Sequence, residues 1–147
     1  MKHSTEGKLL TDIVLEIFKL NGFLILEGDQ LTKELGLSSA RWKVLGALSG
    51  SQNPITVPEI ARTMGLTRQA VQRLANEMIK DGLLYSQMNP CHKRAKLLAL
   101  TKKGKEFFEK LEQKQIQWVN SIADGFKAKD LQIVSSVLQK VTDKIET

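Results

Sequence analysis

Gly65 stands between two short amphipathic stretches, and this break constrains the fold more than any other feature of the chain. Thr56 with Glu59 three residues later is the signature of a capping box, so a helix opens there; Pro58 fits because it falls in the first turn. Val57, Ile60, Ala61 and Met64 give that helix one apolar face, and Gly65 supplies the residue that leaves a helix with positive φ. A second helix is expected from about Thr67 to Asp81, with Ala70, Val71, Leu74 and Met78 within one third of its circumference. Two helices that cross steeply need a small residue at the crossing and a glycine in the turn. Ala61 and Gly65 fill these places. Val71, six residues after the glycine, is the branched plug between the helices, with Ile60, Leu66 and Leu74 around it. The pattern predicts a helix-turn-helix.

The flanking sequence supplies the rest of the fold. Leu10, Ile13, Ile17, Leu20 and Leu24 recur at spacings of three and four and mark a first helix over about 8–26, followed by a polar stretch from Glu27 to Leu37. Ser38 caps a second helix carrying Trp42, Leu45 and Leu48, which Gly50 ends. Two strand-like runs, Leu83–Gln87 and Ala95–Leu100, enclose a basic loop of residues 88–94 and predict a hairpin. Thr101 caps a long helix bearing Phe108, Leu111, Trp118, Val119 and Ile122, which ends near Gly125. A last helix from about Asp130 shows Leu131, Val134, Leu138, Val141 and Ile145 in a narrow seam. Such seams at both ends of the chain suit either packing within one chain or pairing of two copies.

The 147-residue chain carries a formal charge of +6, unevenly placed. Residues 41–105 hold 12 Lys and Arg against 3 acids (Glu59, Glu77 and Asp81), a balance of +9, whereas the flanks hold 10 against 13. A basic segment between acidic flanks suits a phosphate-binding surface, although a merely solvated surface would have the same sign. The free side of the 67–81 helix narrows the choice. It carries Arg68, Gln69, Gln72, Arg73, Asn76 and Lys80, and Arg, Gln and Asn make paired hydrogen bonds to guanine and adenine edges. A solvated face is more often rich in Glu and Lys. Ile79 also falls on this polar side, where the spacing gives it no role.

Several classes are disfavoured. The first twenty residues are interrupted by Lys8, Asp12, Glu16 and Lys19, so neither a membrane span nor a secretory signal is expected, and a cytoplasmic location follows. Cys91, His3 and His92 form no spaced metal-ligand set, and no metal or cofactor is expected. There is no glycine-rich phosphate loop, nucleophile elbow or histidine–carboxylate set, so no enzyme is expected. The rival reading is a winged-helix module that binds another protein, against which the regional charge argues.

The order of helices, the helix-turn-helix and the hairpin resemble the MarR family of winged-helix regulators. The resemblance rests on Trp42 and Leu45, the run Thr56–Gly65, the helix Thr67–Asp81, and Asn89, Pro90, Arg94, Ala95, Leu100, Thr101 and Gly104. It implies a mainly α fold with a small β-hairpin wing, in one domain over 1–147. The winged helix-turn-helix would occupy about 38–101, with dimerisation helices at about 8–27 and 102–146. It further implies a homodimeric repressor that binds double-stranded DNA at a pseudo-palindromic operator and releases it on binding a small aromatic or anionic ligand. Trp42, Phe107, Phe108 and Trp118 are candidates to line a ligand cavity, or plain core. The implied DNA contacts are Thr67, Arg68, Gln69, Gln72, Arg73 and Asn76 from the helix and Lys93, Arg94 and Lys96 from the wing. Arg94 corresponds to the family's wing arginine, but His92 replaces the acid usually found two places before it, so the orienting charge-assisted hydrogen bond is lost. Cys91, beside His92, Lys93 and Arg94, sits in a cationic setting that favours thiolate, although a lone cysteine is commonly inert.

Overall fold

A computed structural model describes residues 1–146. The elements run α1 (Thr5–Thr32), a 3₁₀ turn (Lys33–Leu35), α2 (Ser39–Gly50), β1 (Ile55–Thr56), α3 (Val57–Met64), α4 (Arg68–Lys80), β2 (Leu84–Gln87), β3 (Leu97–Leu100), α5 (Lys102–Ala123) and α6 (Ala128–Ile145). The chain falls into two compact units, residues 1–113 and the remainder from Lys114.

The helix-turn-helix forms as its local chemistry dictates. Thr56 Oγ1 accepts the Glu59 N–H, and the Thr56 N–H donates to Glu59 Oε2 at 2.6 Å, completing the capping box. Gly65 adopts φ +64°, and the N–H groups of Gly65 and Leu66 both return to the Ala61 carbonyl. Thr67 then caps α4 by accepting the Ala70 N–H at 3.1 Å. Val71 and Ile60 are wholly buried, and Ala61 nearly so. The core continues through Val44 and Leu45 of α2, Ala75 and Met78 of α4, Leu84 and Leu98 of the sheet and Leu111 of α5. Each of these helices therefore buries one stripe against a common centre.

Three features differ from the sequence reading. First, α1 runs to Thr32 and absorbs much of the stretch read as polar. Its end is fixed by side-chain bonds: the single Thr32 hydroxyl hydrogen is shared between the Gly28 carbonyl at 2.8 Å and the Leu37 carbonyl at 3.1 Å, and Asp29 Oδ1 accepts the Ser39 N–H at 2.8 Å. Gly28 is in the helix because a side chain there would strike the Ser39 hydroxyl. Second, Ile55–Thr56 forms a third strand, which pairs Ile55 with Leu98 and Thr56 with Leu97, so the sheet order is β1-β3-β2. Third, β3 starts at Leu97 rather than Ala95, because the Ala95 N–H turns back to the His92 carbonyl at 3.3 Å.

Thr101 joins the hairpin to α5. Its hydroxyl donates to the Gly82 carbonyl at 2.6 Å and accepts the Gly104 N–H at 3.0 Å, while its own N–H donates to the Leu83 carbonyl. Gly104 is buried directly on that Leu83 carbonyl, where a Cβ has no room.

In the second unit, α6 begins at Ala128, two residues before the expected start, and leaves Leu131, Ile133, Val134 and Val137 exposed. Gly125, at φ +86°, makes the preceding turn.

Candidate nucleic-acid interface

The side chains of α4 divide largely as the 100° spacing predicts: Val71, Leu74 and Met78 are buried and Arg68, Gln69, Gln72, Arg73 and Asn76 are exposed, but it is Ala75 that completes the buried set, Ala70 being only partly covered. Ile79 lies between the two sets. It is partly buried against the core and forms the apolar floor of a groove with Val57, Pro58 and Leu98. Its place on the polar side is thus explained by the hairpin packing over that edge of the helix.

This groove, of about 660 Å³, brings together Arg68, Gln69, Gln72 and Asn76 of α4 with Arg94 and Lys96 of the wing. Residues separated by 18 to 28 positions therefore converge on one concave surface. Gln72 Nε2 donates to Asn76 Oδ1 at 2.9 Å, so two amide groups are aligned on successive turns. Among the described residues Arg68, Arg94 and Lys96 have no ion pair with a carboxylate. Glu59, the nearby acid of α3, is engaged in its capping box. The surface can therefore present uncompensated positive charge together with side chains of paired hydrogen-bonding capacity, as phosphate and base-edge contacts need.

The other expected site residues are placed differently. Thr67 caps α4, its side-chain oxygen accepting the Ala70 N–H and its own O–H left available to donate. Arg73 points towards Glu77, with Nη1 at 3.6 Å from Oε1. Lys93 is exposed at the tip of the wing. That tip is ordered by Asn89, whose Oδ1 accepts the Cys91 N–H at 3.0 Å and whose carbonyl accepts the His92 N–H at 3.2 Å. An Asx turn thus shapes the loop locally where His92 replaces an acid. Phe107 and Phe108 are half-buried against the core and border separate clefts, one with Arg41 and Lys103, the other with Tyr85 and Lys105. Trp42 packs on the same core.

The sequence reading missed Arg41. This residue of α2 places Nη1 at 2.8 Å from Asp81 Oδ2 and Nη2 at 3.1 Å from Glu77 Oε2, across 40 and 36 positions of sequence. Burial works against its charge, but hydrogen bonds and attraction from Glu77 and Asp81 outweigh that and raise its pKa above the usual arginine value. No periodic or motif signal links residues so far apart. The one hint was that Glu77 and Asp81 are two of only three acids in the basic segment.

The sequence model of the MarR family matches residues 35–95. The uncharacterized protein Rv2011c of Mycobacterium tuberculosis is 33% identical over 129 residues, covering 88% of this chain and 89% of that protein. The transcriptional activatory protein BadR of Rhodopseudomonas palustris is 25% identical over 142 residues, 95% of this chain and 81% of its own. Among solved structures, a MarR/EmrR family transcriptional regulator from Acinetobacter superposes with a TM-score of 0.83 at 20% identity, covering 92% of this chain and 96% of the other.

Proposed function

Because the chain belongs to the MarR family of DNA-binding transcription regulators, which are not enzymes, we propose that it acts as a homodimeric, ligand-responsive repressor on a pseudo-palindromic operator. The observation that carries this reading is the shared groove of α4 and the wing. Arg68, Gln69, Gln72 and Asn76 would read base edges in the major groove, while Arg94 enters the adjacent minor groove and Lys93 and Lys96 hold phosphates. Repression follows if the operator overlaps a promoter, where a bound dimer excludes polymerase. A small aromatic or anionic ligand would lower that occupancy by favouring a conformation that binds DNA less well.

Dimerisation is supported by the apolar surface of α1. Leu10, Ile13, Ile17, Leu20 and Leu24 are exposed along one stripe, and Leu15, Phe18 and Leu26 are exposed on another side. An apolar face of that extent in a regulator of charged surface marks a site of association. In the second unit, the exposed Leu131, Val134 and Val137 of α6 supply a further such face.

The test is binding to duplex DNA at several salt concentrations, followed by selection from a random pool. Affinity is expected to fall steeply with salt, with a log–log slope of about −0.9 for each phosphate neutralised. Alanine at Arg68 or Gln69 is expected to remove about 1–3 kcal/mol of discrimination at one base position, whereas alanine at Lys96 weakens all sequences alike. Absence of salt-dependent duplex binding would leave the protein-interaction module as the better account.

A further inference from the structure

The last turn and the C-cap of α4 carry two acids, Glu77 and Asp81, at the negative end of the helix dipole, where carboxylates are unfavourable. Two cations from other elements face this helix end. Arg41 of α2 forks onto both carboxylates, with its own side chain only 20% exposed, and Lys103 of α5 donates to the Asp81 carbonyl at 2.9 Å. Glu77 is shared: Oε2 faces Arg41 at 3.1 Å, and Oε1 faces Arg73 of α4 at 3.6 Å. Arg73 is the looser partner, with a side chain 69% exposed on the side of α4 that bears the candidate base-reading residues.

We propose that Arg41 is a positioning residue for DNA recognition, which holds Glu77 from behind the recognition helix and so keeps the Glu77–Arg73 pair loose enough for Arg73 to contact DNA. This rests on the DNA-binding reading above. A carboxylate drawn to a tightly hydrogen-bonded, poorly solvated guanidinium has less charge to offer a solvated one. Without Arg41, the whole charge of Glu77 is available to Arg73 four residues away, a spacing at which opposite charges pair along a helix. Arg73 would then be neutralised by its own helix, and a phosphate contact would be lost. Arg41 does not touch DNA in this scheme; it decides which partner Arg73 takes.

Salt dependence reads the number of such contacts directly. The probe is a duplex of about 30 base pairs selected from a random pool by the native protein, long enough for two half-sites one helical turn apart. Arg41→Met removes one contact in each of the two protomers and is expected to bind it about a hundredfold more weakly, with the log–log slope reduced by about 1.8. Adding Glu77→Gln to that variant removes the competing anion and is expected to restore the slope, which a merely structural role for Arg41 would not produce. In an Arg73→Ala background, Arg41→Met should lower the slope no further. If Arg41→Met does not fold, Arg41→Lys keeps the charge but cannot fork onto two carboxylates. It should show a partial loss of slope that Glu77→Gln again restores. An unchanged slope in the folded Arg41 variant, or a loss that Glu77→Gln does not recover, overturns the proposal. A native protein with no steep salt dependence would instead refute the DNA-binding reading and this inference with it.

Discussion

Replacing Gly104 with alanine gives a test in which even the sign of the effect is informative. At an ordinary helical position the change stabilises, since alanine exceeds glycine in helix propensity by about 1 kcal/mol. Here the new methyl would lie on the Leu83 carbonyl oxygen and within 3.5 Å of the Leu100 side chain. The obstacle is backbone, held by the Thr101 N–H at 3.1 Å and, one residue earlier, by the Thr101 hydroxyl on Gly82. No flexible group can yield, so α5 must move away from the hairpin. Overpacking of this kind costs about 1–3 kcal/mol. A strained or lost hydrogen bond at Leu83 adds about 1 kcal/mol, which offsets the propensity gain. The net expectation is destabilisation by about 1–3 kcal/mol. Urea unfolding followed by circular dichroism at fixed protein concentration measures it, as a lower midpoint with an unchanged slope. A variant as stable as the native protein, or more so, would show that the close approach of α5 to Leu83 is not a constraint.

Two further outcomes are expected. Thr56→Ala removes the hydroxyl of the capping box and should destabilise the fold by about 0.5–2 kcal/mol in the same unfolding assay, while Thr56→Ser should recover most of it. Sedimentation at micromolar concentration should show a dimer, and Ile17→Lys, on the exposed stripe of α1, should shift it towards monomer; a native monomer at that concentration would contradict the dimer proposal.

The parts of the fold legible in the sequence are those set by short-range chemistry. Thr56, Glu59 and Gly65 set the two ends of α3 through bonds spanning five residues or fewer, as the sequence predicts, whereas Thr67 falls at the expected start of α4 as its cap. The end of α1 was not, because Gly28 and Asp29 read as helix-breaking or polar until Ser39 is brought against them. Nor was β1, whose two residues form a strand only because β3 returns beside them. The candidate site divides likewise. The 100° spacing identified the exposed face of α4, but the convergence of Arg94 and Lys96 with it, and the hold of Arg41 on Glu77 and Asp81, depend on contacts that no spacing encodes. Ile79 had no account as one of a polar set and gained one as the floor of a groove.

The two residues of β1 have a consequence for how this protein could acquire a new target. They end at Thr56, the cap of α3, and they pair with β3, the strand that carries the wing back to α5. The wing is therefore stitched at its root to the first helix of the reading head, and the two share one sheet and one core. A hairpin joined only at its two ends could swing and follow grooves of different width; here the root of the wing, at Leu97 and Leu98, is tied to the head. On the proposed mode of binding, the stretch of DNA spanned by Gln69 and Arg94 together would accordingly be a fixed gauge. Evolution can re-letter a half-site by exchanging side chains along α4, but stretching it would require rebuilding a core.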